Sequence, residues 1–259
     1  MLLEETGKSA IRGVDALGRV TLLFVQSTGL FLFRHFSLSR LTERIYEIGV
    51  RTLPLILLVG FFTGMVLGLQ GYYTLVRFGS EGLLGPAIAL TLIRELGPVL
   101  TAIMVVGQAG SSMAAELGIQ RNSEQVDALE IMGIETRAFL IGPRLVAAVI
   151  CFPILTAFFD IIGILGGYVT GVTLLGLHGG LYWANIYNAV GWNDVSGGFV
   201  KALVFGVLVV LICCYQGYNT HRQTAAFGAR AVSNSATRAV VISCVAILAS
   251  DYIITSFTI

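Results

Sequence analysis

Residues 53–76 read LPLILLVGFFTGMVLGLQGYYTLV, without a single Asp, Glu, Lys or Arg. The hydrocarbon core of a bilayer is about 30 Å thick and an α-helix rises ~1.5 Å per residue, so this run is long enough to cross it. Four further runs have the same character. Residues 83–115 are broken only by Arg94 and Glu95, and 145–177 only by Asp160. Residues 199–219 carry no charge from Ala202 onward, and 237–257 hold Asp251 near the middle. Backbone groups in hydrocarbon must bond within their own segment, so these runs predict an all-α polytopic membrane protein with five transmembrane helices.

Composition agrees with that class. Of 259 residues, 56% are apolar and 12% charged, with a mean hydropathy of +0.84. A soluble domain carries about 25% charge, so this chain cannot keep a surface wet. The net charge of +1 argues against nucleic acid as a partner, which calls for a basic patch. Cys151, Cys213, Cys214 and Cys244 lie in apolar runs without CxxC spacing, so neither a disulfide framework nor a zinc site is expected.

Lys and Arg are retained on the cytoplasmic side of a membrane. With the N-terminus inside, thirteen of them fall in inner segments, among them Arg40, Arg44, Arg51, Arg121, Arg137, Arg144, Arg230 and Arg238. Arg77 and Lys201 are left for the outside. The C-terminus is then periplasmic.

Residues 1–52 are expected to form an N-terminal interfacial, amphipathic segment. Ile11, Val14, Leu17, Leu22 and Val25 recur at near-helical spacing against Lys8, Arg12, Asp15 and Arg19. A sixth span over 20–33 is the competing reading, but it is too short. Between the second and third spans, residues 122–133 predict a short amphipathic helix on the cytoplasmic side. Asn122 is its expected cap, with Gln125 closing a capping box, Glu124 and Asp127 at its positive end and Gly133 as its stop. A plain solvated connector is the alternative.

Gly7-Lys8-Ser9 imitates a phosphate-binding loop, but position 2 is leucine where the first glycine belongs. Catalysis is not expected, since no nucleophile or metal motif accompanies it. Gly60, Gly64 and Gly68, and again Gly163, Gly167 and Gly171, recur at steps of four and mark close helix contacts. Spacing does not say whether those contacts lie within one chain. Leu67, Gln70, Thr74 and Phe78 form a stripe that fits either helix packing, the commoner case, or an amphiphile cavity. Charge in lipid needs a partner or water, so Arg94, Glu95, Asp160 and Asp251 are candidate functional residues. Arg94 and Glu95, ~100° apart on a helix, cannot simply neutralise each other. Gly97-Pro98 follows and is expected to leave carbonyls free.

The runs Gly64-Met65-Val66-Leu67-Gly68-Leu69-Gln70-Gly71-Tyr72, Leu92-Ile93-Arg94-Glu95-Leu96-Gly97-Pro98-Val99 and Ala114-Ala115-Glu116-Leu117-Gly118 resemble the MlaE family of permeases. So does Glu124-Gln125-Val126-Asp127-Ala128-Leu129-Glu130-Ile131-Met132-Gly133, closed by Gly142-Pro143-Arg144. The resemblance runs from about residue 46 to 255. It implies the permease subunit of an ABC transporter that moves phospholipid between the bacterial inner and outer membranes, maintaining outer-membrane lipid asymmetry. It further implies a homodimer, a separate ABC ATPase subunit that uses ATP and Mg, a periplasmic MCE-domain ring protein and a STAS-domain protein. This chain itself would hold no cofactor and no metal. By the same likeness Leu67, Gln70, Thr74, Leu75, Phe78, Arg94, Glu95 and Leu96 would meet lipid. Glu124, Asp127, Ala128, Glu130, Met132 and Gly133 would belong to a coupling helix docked on the ATPase. Gln108 and Glu135-Thr136 depart from the family pattern. An ion-coupled secondary transporter using Asp160, Asp251 and Glu95 is the alternative, and a non-transporting scaffold a second.

Overall fold

The computed structural model describes residue 18 and residues 38–220 and 228–258. Among these residues there is no strand. Five helical stretches are long and apolar enough to cross a membrane: Leu38–Val76, Glu81–Asn122, Thr136–Leu174, Trp192–Tyr218 and Ala229–Phe257. Each expected span falls on one of them, and every stretch begins before the apolar run does. Apolarity marks where lipid begins, whereas i→i−4 bonding continues through any residues that tolerate it.

Of the expected interfacial segment, everything before residue 38 except residue 18 lies outside the described residues. Its last part is helical. Helix α1, Leu38–Ile45, and a π-helical turn, Tyr46–Val50, lead into α2, Leu53–Val76. Pro54 stands in the first turn of α2, where its missing N–H has no intrahelical partner to lose.

The second stretch is segmented. A short turn, Glu81–Leu83, opens α3, Leu84–Thr91, and a π-helical turn over Leu92–Leu96 leads to α4, Gly97–Val105. A second π-helical turn, Val106–Gly110, precedes α5, Ser111–Asn122. The short helix α6 spans Gln125–Ile131. Then come α7, Thr136–Tyr168, with a π-helical continuation to Leu174, and α8, Gly179–Ala189. Helices α9, Trp192–Tyr218, and α10, Ala229–Thr258, complete the bundle.

Alternation of direction gathers α6, the end of α5 and the start of α7 at one end, the loop end, together with the end of α9. The turn after α2, α8 and the start of α9 share the far end, where Asn185 donates to the Gly82 carbonyl at 2.8 Å. Helix α9 packs against α4, α5, α7 and α10 and forms a strut between the two ends.

The two glycine ridges meet each other inside one chain. A Cβ placed on Gly64 would run into the Gly163 carbonyl, and one on Gly68 would lie 3.3 Å from the Gly167 carbonyl. Lipid supplies no hydrophobic drive between helices, so backbone proximity and dispersion hold α2 to α7. Phe152, Phe159 and Phe205 are fully buried and fill the centre. Leu58, Phe62 and Tyr73 of α2 and Val245, Tyr252 and Phe257 of α10 are exposed. In water that would be an aggregation patch, and in a bilayer it faces its proper solvent.

The expected cap at Asn122 is corrected. Asn122 ends α5 and its amide donates to the Gly228 carbonyl at 3.3 Å. The chain turns at Ser123 and at Glu124, whose φ is +57°, so α6 starts at Gln125 without a side-chain cap. The stop at Gly133 stands: its φ is +75°, its N–H bonds to the Glu130 carbonyl, and the Ile134 N–H bonds to the Leu129 carbonyl. That pair of bonds is a Schellman closure.

Candidate functional site

Arg94 and Glu95 lie on the π-helical turn between α3 and α4 and, as adjacent helical residues pointing different ways, reach different partners. Arg94 reaches Asp194 Oδ1 from Nε at 2.8 Å and from Nη2 at 2.6 Å. The other Asp194 oxygen accepts the Gly191 N–H at 2.9 Å, tying off the first turn of α9.

Glu95 pairs instead with Lys201 on α9, at 2.7 Å. Lys201 is 3% exposed. A buried ammonium is tolerated only where partners surround it. Its Nζ also lies 3.1 Å from Asp251 Oδ1 and donates to Thr255 Oγ1 at 2.7 Å. A last bond goes to the Arg94 carbonyl at 2.9 Å. Pro98, four residues on, has no N–H to offer that carbonyl, and the ammonium takes its place. Arg94, Glu95, Asp194, Lys201 and Thr255 line a cavity of about 720 Å³ with Leu90 and Thr91. Half of the Arg94 side chain remains open.

The other expected lipid residues are not brought to this cavity within the chain. Leu67, Leu75 and Leu96 pack, half-buried, against the core. Gln70 and Thr74 on α2 and Phe78 in the turn after it are exposed, and the Thr74 hydroxyl donates to the Gln70 carbonyl at 2.9 Å. Asp251 joins the Lys201 cluster, but Asp160 does not. It abuts Gly97, where a Cβ would run into its Oδ1.

At the loop end Glu116 is shared. Arg44 lies 2.8 Å and Arg144 2.7 Å from Glu116 Oε2, and Arg44 also pairs with Glu47 at 2.6 Å. Arg144 is 1% exposed. Gln108 donates to the Arg51 carbonyl at 2.9 Å.

On α6, Asp127 pairs with Arg121 at 2.7 Å, and Glu130 accepts from the Tyr218 hydroxyl at 2.9 Å. Glu124 and Ala128 are exposed, and Met132 and Ile131 stand outward, Ile131 at 88% exposure. Sequence reasoning missed Asp194, Thr255 and Tyr218 and placed Lys201 only at the outer edge of the fourth span. Its one available signal was a basic residue at the edge of an apolar run.

The sequence pattern of the family described as Permease MlaE matches residues 41–257. The chain belongs to the MlaE permease family. It is 40% identical over 253 residues to the intermembrane phospholipid transport system permease protein MlaE of Haemophilus influenzae, covering 96% of this chain and 94% of that one. A probable ABC transporter permease protein of Rickettsia felis is 38% identical over 252 residues, covering 93% and 95%. Another from Rickettsia bellii is 36% identical over 249 residues, covering 96% and 94%. The MlaE family match takes in α1 from residue 41 onward and the apolar part of all five spans, with both charged clusters and α6. Such membership does not favour the ion-coupled carrier.

Proposed function

We propose that this MlaE-family chain is the permease subunit of an ABC transporter that moves phospholipid between the inner and outer membranes. The observation that carries the reading is the cavity at Arg94. It lies among apolar helices and presents a half-open guanidinium, whose planar fork suits a phosphodiester. Glu95 and Lys201 complete a polar floor suited to a zwitterionic headgroup, while the exposed stripe on α2 suits acyl chains. One chain keeps stripe and cavity apart. In this reading the core is a homodimer, whose two copies face to face enclose a lipid between them.

ATP and Mg belong, in this reading, to a separate ATPase subunit docked on α6. The outward Ile131 and Met132 are the apolar contacts for it, and Asp127, Ala128, Glu130 and Gly133 hold them in place. An MCE-domain ring on the periplasmic side and a STAS-domain protein on the ATPase complete the assembly. Arg121, Arg137, Arg144 and Arg230 at the loop end support a cytoplasmic placement of that end, in a bacterial inner membrane, with the C-terminus periplasmic.

Gentle extraction of the complex followed by mass spectrometry tests this. An ATPase subunit and phospholipid recovered with the chain are the expected result. Recovery of the chain alone, with neither, overturns it.

A further inference from the structure

One side chain at the loop end ties the end of its own helix to three others. Tyr218 closes α9 and is buried. Its hydroxyl donates to Glu130 Oε1 on α6 at 2.9 Å. The Thr136 hydroxyl, in the first turn of α7, donates to the same oxygen at 3.1 Å and lies 3.3 Å from the Tyr218 hydroxyl. The guanidinium of Arg121, at the end of α5, stands 5.5 Å from the Tyr218 ring centroid, and that of Arg137 stands 5.9 Å away.

Helix α6 needs such ties. It has seven residues, and Val126 is the buried one among them. Helices this short do not persist alone in water, so their placement is set by contacts with the rest of the chain. Ring packing fills space without fixing a direction. A phenol donating to a carboxylate does fix one, and a charge-assisted bond is about twice as strong as a neutral one.

Tyr218 and Lys201 sit on the same helix, seventeen residues and therefore about 26 Å apart. A force on Glu130 acts on one end of that strut. Toward the other end, Lys201 holds Glu95 and Asp251 at the cavity.

We propose that Tyr218 is the positioning residue through which movement of α6 reaches α9 and the Lys201 cluster. The assignment rests on the function proposed above, in which α6 meets an ATP-hydrolysing partner.

The test uses the whole transporter reconstituted in liposomes, reading phospholipid moved per ATP hydrolysed. Tyr218→Phe keeps the ring and removes the bond. The expected result is a fall of at least fivefold in that ratio, with the ATPase subunit co-purifying in normal proportion. Amide exchange across residues 126–133 should speed up several-fold in the same variant. Glu130→Gln keeps an acceptor oxygen and should retain most of the ratio. Should Tyr218→Phe fold poorly, Glu130→Ala cuts the same bond from the exposed side, together with the Thr136 bond, and must give at least the same fall, while Thr136→Val, which removes the Thr136 bond alone, should leave the ratio near normal.

A normal ratio in Tyr218→Phe or Glu130→Ala, beside an active wild type, overturns the assignment alone. A wild type that hydrolyses ATP and moves no lipid overturns the functional reading and this assignment with it.

Discussion

Lys201 donates to the Arg94 carbonyl at 2.9 Å, the carbonyl that Pro98 cannot serve. The same ammonium carries Glu95 and Asp251, so one buried cation compensates a missing helix hydrogen bond and two carboxylates. Lys201→Met should lower the thermal stability of the detergent-solubilised chain, because it leaves both carboxylates facing each other. Breaking a buried pair from one side costs about 3–5 kcal/mol, and the partial exposure of Glu95 pulls the effect to the lower end. Adding Glu95→Gln should recover part of the loss. Equal melting temperatures for Lys201→Met and the wild type would falsify the compensation.

Arg94 is held by Asp194 yet half open to the cavity. Exposed pairs contribute little to stability, typically about 0–1 kcal/mol. Arg94→Ala should therefore fold normally but co-purify with several-fold less phospholipid and move it more slowly. Arg94→Lys should recover part of the binding, since it keeps the charge and loses the fork. Lipid retention measured by mass spectrometry decides it, and unchanged retention in Arg94→Ala removes Arg94 from the headgroup site.

Gly64 and Gly163 mark the tightest approach between α2 and α7. The obstacle to a side chain is a backbone carbonyl, which cannot rotate away. Gly64→Val should lose most folded protein, as overpacking by about 1–3 kcal/mol or more does. Gly107→Ala, where a Cβ meets nothing within 4 Å, is the control and should express normally. Fluorescence-detected size exclusion reads both.

Glu116 serves two guanidiniums, one of them fully buried. Arg144→Met should be less harmful than Glu116→Gln, because the first leaves Arg44 to satisfy Glu116 and the second leaves two cations without that anion. The second change should cost about 3 kcal/mol, the low end for a buried pair, given that Glu116 is a third exposed. Thermal melts of the two variants check the order.

The bundle was legible in the sequence because its determinants are local. Charge-free runs such as 53–76 announce spans, and glycines at steps of four announce close approach. Pairing of the two ridges was not legible, since spacing carries no partner. The polar site was legible by half. Arg94 and Glu95 stand out because they interrupt an apolar run, whereas Lys201, Asp194 and Thr255 sit about a hundred or more residues away and become neighbours only when the helices pack. Lys201 also hid at a span edge, where a snorkelling lysine is the ordinary reading. The Asn122 cap failed for a local reason: α5 continues through residue 122, and the turn that frees α6 comes two residues later. Tyr218 offered no pattern at all, one tyrosine among nine.

The most direct measurement is transport of fluorescent phospholipid by the reconstituted complex, followed with ATP, with ATP hydrolysis blocked, and with ion gradients collapsed. Movement should follow hydrolysis, survive loss of the gradients, and stop when Ile131→Asp weakens the ATPase contact, a hot-spot loss of about 2 kcal/mol or more. Lipid movement that continues without ATP, or that stops with the gradients, is incompatible with a gate driven from α6.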